Sequence, residues 1–85
     1  MNAHRINRLC SMAHTPARCR RAAGLLARFG RKSGNRALLE LSSAMVELAH
    51  ALRYARSGEY GRARIHADLH RYFCRRAERL SGGSV

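Results

Sequence analysis

Acidic residues are missing from the first 36 positions, which hold nine Arg or Lys and no Asp or Glu. A stretch so one-sided draws polyanions and repels itself. Residues 37–58 balance two bases against two acids, and residues 59–85 carry six bases against three acids, which together give the formal net charge of +12. Long apolar runs are also missing. Nothing approaches the roughly 20 consecutive apolar residues of a membrane helix, and the amino end has no continuous apolar segment of the secretory type, so no integral membrane association is expected. Cysteine is scarce: Cys10, Cys19 and Cys74 are an odd set, too few for a disulfide framework and consistent with a reducing compartment, though one pair stays open. Lysine occurs once against sixteen arginines. That bias suits forked phosphate contacts, and codon composition produces the same bias.

Catalytic signatures are absent as well. The sequence contains no HExxH, no glycine-rich phosphate loop, no serine nucleophile motif and no paired carboxylates. Glu40, Glu47, Glu59, Asp68 and Glu78 are scattered and read as partners for arginines on helix surfaces. A chain of 85 residues has little room for a supported cleft, burying only about 60 to 65% of its unfolded surface. The expected role is therefore non-enzymatic, accessory or regulatory, with no cofactor.

What is present is helical periodicity. Residues 1–14 show no sustained period and read as a flexible basic arm. Thr15 and Pro16 give a capped start to a first helix, in which Cys19, Ala22, Leu26 and Phe29 recur every three or four residues. This helix is expected to end near Phe29, with a loop over residues 30–36 that contains Gly30, Arg31, Lys32, Ser33, Gly34 and Asn35. Leu38, Leu41, Met45, Leu48, Leu52 and Ala55 then alternate steps of three and four through a long second helix. Ala37, Ala44 and Ala51, seven apart beside that stripe, allow a neighbouring helix to approach closely. Ser57, Gly58 and Glu59 mark a turn. The third helix is expected to turn Ile65, Leu69, Tyr72, Phe73 and Leu80 inward, aided by the alkyl stem of Arg76, before a tail over residues 81–85. The fold class read from these patterns is all-α: a short basic helix and a long antiparallel helical hairpin over residues 15–80, completed as a homodimeric helical bundle. The interface residues of that assembly are Leu38, Leu41, Met45, Leu48, Leu52, Ile65, Leu69 and Tyr72.

Tyr54, Gly58, Tyr60, Ala63 and Ala67 stand where a tetratricopeptide repeat places its first-helix aromatic, turn glycine, tyrosine and small second-helix residues. The segment resembles a single such repeat over roughly 30 residues, while His50, Ala51 and His70 depart from the pattern. The resemblance implies an antiparallel helix pair; one repeat cannot stack into a solenoid.

The partner expected first is DNA or RNA. Arg18, Arg20, Arg21 and Arg28 on the first helix, with Arg31, Lys32 and Arg36 after it, would clamp phosphates, and Arg5 and Arg8 on the arm would add looser contacts. No homeodomain, zinc-finger, cold-shock or clear helix-turn-helix signature suggests base reading. Arg75, Arg76 and Arg79 form a second basic group interrupted by Glu78, read as a solvated helix face. Tyr54, Tyr60, Tyr72 and Phe73 read as packing residues before stacking platforms. The alternative function is a helical adaptor docking on an acidic protein. His66, His70 and Cys74, four apart on one side of a helix, have metal-ligand chemistry, as do Cys10 and His14. Without finger or ribbon spacing they read as surface histidines and a semi-buried cysteine, so no metal is expected. Cytoplasm is the expected location, although the acid-free front shares its composition with mitochondrial presequences.

Overall fold

The computed structural model describes residues 15–82. They form three helices: α1 (Pro16–Ser33), α2 (Arg36–Arg56) and α3 (Tyr60–Leu80). No strand occurs among the described residues. Helix α2 is central. Helices α1 and α3 each pack along it and touch each other little.

Each helix end has a local cause. The Thr15 hydroxyl accepts from the Arg18 amide at 3.2 Å, and Pro16 occupies the first turn, where its missing donor costs nothing. Helix α1 continues through Gly30 to Ser33, so the loop expected over residues 30–36 shrinks to a corner at Gly34 and Asn35. Gly34 stops the helix at φ 65°, and the Asn35 amide donates to the Gly30 carbonyl at 2.9 Å. Asn35 then starts the next helix, its side-chain oxygen accepting from the Leu38 amide at 3.3 Å. Gly30 misleads in sequence because its role is steric. A Cβ there would lie 3.0 Å from a Leu39 methyl and 3.1 Å from the Asn35 carbonyl oxygen, so glycine lets α1 and α2 meet closely beside their corner. At the other end of α2, Gly58 at φ 79° makes the turn and the Glu59 amide donates to the Tyr54 carbonyl at 2.9 Å.

The core lies mainly between α1 and α2. Cys19, Ala22, Ala23 and Leu26 cluster with Leu38, Leu41, Met45 and Ala49, and Ala77 joins from α3; Phe29, Leu48 and Leu52 pack at the margin. The Ser42 hydroxyl donates to the Ala23 carbonyl at 2.7 Å and ties the two helices across their seam. Leu38, Leu41 and Met45, expected at an interface between chains, are thus buried within one chain. The reason is that the apolar face of α1, Cys19, Ala22, Ala23 and Leu26, packs over them within the same chain.

The inward face of α3 differs from expectation. Ile65, Leu69, Tyr72 and Leu80 are exposed, while Ala63 and Ala77 are buried and His66, His70 and Cys74 are half-buried. The cause sits on α2. Ala37, Glu40, Ala44, Glu47, Ala51 and Tyr54 share one stripe by three-four spacing. Its alanines permit close approach, and its two glutamates need polar partners when partly desolvated. Helix α3 answers with alanines, His66 and Arg76. Arg76 meets Glu40 at 3.3 Å, His66 meets Glu47 at 2.6 Å and Arg62 lies over the Tyr54 ring, so the contacts run in opposite order along the two helices.

Candidate functional site

Packing of α1 determines which side its cations face. Cys19, Ala22, Ala23, Leu26 and Gly30 are buried against α2. By helical spacing Arg21, Arg28, Arg31 and Lys32 lie on the opposite side, with Arg18 and Arg20 at its edges. All six are exposed, as is Arg36 at the start of α2. Arg31 and Lys32, expected in a loop, belong to the last turn of α1, where they also complement the partial negative charge of the helix end. The helix is about 27 Å long at 1.5 Å per residue. Arg5 and Arg8 lie outside the described residues.

Among the described residues no acid pairs with this face. The acids there meet Arg62 at Glu59, Arg71 at Asp68 and Arg76 at Glu40 in ion pairs, and His66 at Glu47 in a hydrogen bond. None includes a cation of α1 or Arg36. The face also lacks a stacking platform: Phe29 is partly buried against the core, and the exposed Tyr60 and Tyr72 belong to α3. What this surface can do chemically is hold phosphate or carboxylate oxygens with guanidinium forks.

The basic group near the end of α3 is divided in use. Arg76 donates to the Tyr72 hydroxyl at 3.2 Å and pairs with Glu40, and these contacts hold its pKa above the ordinary arginine value. Arg75 and Arg79 are exposed and have no ion-pair partner among the described residues.

Between α2 and α3 runs a polar seam that spacing of α3 alone does not reveal. The His66 ring is 2.6 Å from Glu47 through Nδ1, stacks on Tyr54 at 5.4 Å and sits 5.0 Å from the His50 ring. His70 Nδ1 is 2.7 Å from the Ala44 carbonyl oxygen. A carbonyl only accepts, so Nδ1 carries the proton and, in the neutral ring, Nε2 is left to accept from the Cys74 thiol 3.7 Å away. Burial, followed by the nearby charge of Glu78, pushes the Cys74 thiol pKa up, which is opposite to the activation a nucleophilic thiolate requires. Burial likewise raises Cys19, with Arg20 opposing it. His66, His70 and Cys74 therefore have packing and hydrogen-bonding roles, and the described residues contain no group of three or more His, Cys, Asp or Glu placed to hold a metal ion. Cys10 and His14 lie outside the described residues. The signal for this seam was present on α2, where Glu40 and Glu47 interleave with Ala37, Ala44 and Ala51.

Leu48 and Leu52 stand at the margin of the core, while Ile65, Leu69 and Tyr72 face outward from α3. The expected interface set is thus split between the interior of the chain and a separate surface. No helix among the described residues is long and apolar enough to cross a membrane. No protein-family model, curated protein or solved structure matches this chain.

Proposed function

We propose that this is a non-enzymatic nucleic-acid-binding protein that grips the phosphate backbone of DNA or RNA with the outer face of α1. The observation that carries the reading is the row of exposed cations, Arg21, Arg28, Arg31 and Lys32, opposite a buried apolar face and outside every ion pair among the described residues. Arg18, Arg20 and Arg36 widen the surface, and Arg5 and Arg8 add contacts from the front of the chain. Positive charge raises the local concentration of the polymer, and guanidinium forks then hold individual phosphates. Such contacts position the protein without reading bases. With no aromatic platform on this face, single strands gain little from base stacking. The role that follows is accessory: coating, recruiting or shielding nucleic acid rather than altering it.

The test is fluorescence anisotropy of labelled duplex DNA, single-stranded DNA and RNA across a salt series, using the full chain and an R21Q/R28Q/R31Q variant. The full chain is expected to bind at micromolar or lower concentration at physiological salt. Each phosphate contact contributes about 0.9 to the log–log salt slope on duplex, so the variant should lose about 2 to 3 from that slope and at least tenfold in affinity. Equal binding by the two proteins, or no binding by either, overturns the proposal.

A further inference from the structure

Ile65, Leu69, Tyr72 and Leu80 leave 60%, 37%, 44% and 46% of their surfaces exposed. Their spacing places them along one side of α3, away from the Ala63, His66, His70 and Ala77 face that meets α2. Single exposed leucines are ordinary, but Ile65, Leu69 and Tyr72 together form a patch, continued to Leu80 past Arg76, whose guanidinium lies 5.7 Å from the Tyr72 ring. It offers on the order of 400 Å², within the size of surface patches that are often functional and about half of the roughly 800 Å² each partner gives a standard stable interface. At its carboxyl end Arg76, Arg79 and Leu80 line an open hollow of about 190 Å³.

Charge distinguishes among the occupants. Four of the chain's five acids are already committed: Glu40 to Arg76, Glu47 to His66, Glu59 to Arg62 and Asp68 to Arg71. Arg75 and Arg79, beside the patch, have no such partner among the described residues. A second copy would bring another +12 and, among the described residues, only Glu78 as an acid without a basic partner. A nucleic acid would satisfy the arginines but leave the apolar row uncovered. The ligand that satisfies both is an amphipathic helix with apolar residues at three-four spacing and carboxylates along one edge.

We propose that the Ile65–Leu69–Tyr72–Leu80 face of α3 docks an acidic amphipathic helix of another protein, whose carboxylates meet Arg75 and Arg79. A carboxylate beside Leu80 would enter the hollow between Arg76 and Arg79. The site is independent of the α1 surface, so either proposal stands if the other fails.

The probes are a labelled Leu/Glu peptide with amphipathic helical spacing and a scrambled peptide of identical composition. The host is the full chain carrying R21Q/R28Q/R31Q, which removes the competing cations of α1. The amphipathic peptide is expected to bind at least tenfold more tightly than the scrambled one. Adding I65S/L69S should remove that advantage with the helical circular dichroism unchanged, and R79Q should weaken binding about threefold. Equal binding of the two peptides overturns the proposal, and that comparison holds even if the double substitution disturbs the fold. It is overturned equally by undiminished binding to a folded I65S/L69S protein, or by a dimer of the full chain that I65S/L69S dissolves, because a second copy would then own the face.

Discussion

The two long faces of α2 meet their neighbours by different physics. Toward α1 it presents Leu38, Leu41, Met45 and Ala49, buried in an apolar cluster. Toward α3 it presents Ala37, Ala44 and Ala51 interleaved with Glu40 and Glu47, and the contacts there are His66 on Glu47, His70 on a carbonyl and Arg76 on Glu40. The first seam gains from area removed from water and tolerates any apolar side chain of suitable volume. The second gains from close approach and matched polar groups, and so depends on which residue stands opposite which. Stability should therefore concentrate in the α1 seam, and specificity of pairing in the α3 seam.

The largest expected effect tests that division at its strongest point. Leu26 is fully buried at the centre of the α1 seam, and Leu26→Ala should lower unfolding stability by about 3 kcal/mol through lost burial and the cavity left behind. For a domain this small, that is a large part of the total. Urea unfolding monitored by circular dichroism measures it, and a loss below about 1 kcal/mol would mean that α1 is not the main apolar partner of α2. In the other seam, Glu47→Ala should cost about 1 kcal/mol by removing the acceptor of His66, because both side chains retain some solvent contact, at 26% and 19% exposure. Glu47→Gln keeps an acceptor and should cost less. Equal losses for Ala and Gln would assign the effect to charge instead of the hydrogen bond.

The same contrast explains what can be read without coordinates. The stripe of α2 is legible because burial against α1 asks only for apolar residues at helical period. Helix α3 misleads for a matching reason: Ile65, Leu69, Tyr72 and Leu80 form the best apolar period it has, yet the face α2 accepts is dictated by Glu40, Glu47 and the alanines between them. Periodicity is a property of one helix, whereas that choice is a property of two. The charge of α1 is likewise plain in sequence. Its full extent on one face becomes visible only once the helix is known to run through Gly30 to Ser33, which moves Arg31 and Lys32 from the expected loop onto the side opposite Cys19, Ala22 and Leu26. Gly30 itself reads as a helix stop because the atoms that require it, on Leu39 and Asn35, lie across the corner.

The smallest expected effects use two glycines of one helix to sharpen the comparison. Gly24 is exposed in the middle of α1, where a Cβ would meet nothing within 4 Å beyond its own stretch of helix, and Gly30 is buried with Leu39 and the Asn35 carbonyl 3.0 and 3.1 Å from where a Cβ would stand. Helix propensity favours Ala over Gly by about 1 kcal/mol at both. Gly24→Ala should realise most of that as added stability. Gly30→Ala must displace its neighbours; the leucine can rotate, but the Asn35 oxygen belongs to the backbone that starts α2, and crowding of this kind costs about 1 to 3 kcal/mol. Its net effect should be a loss of about 1 kcal/mol, opposite in sign to Gly24→Ala in the same unfolding experiment. Gains of equal size at both positions would show that the α1–α2 corner relaxes freely, and the close approach assigned to Gly30 would then not be what holds the two helices in place.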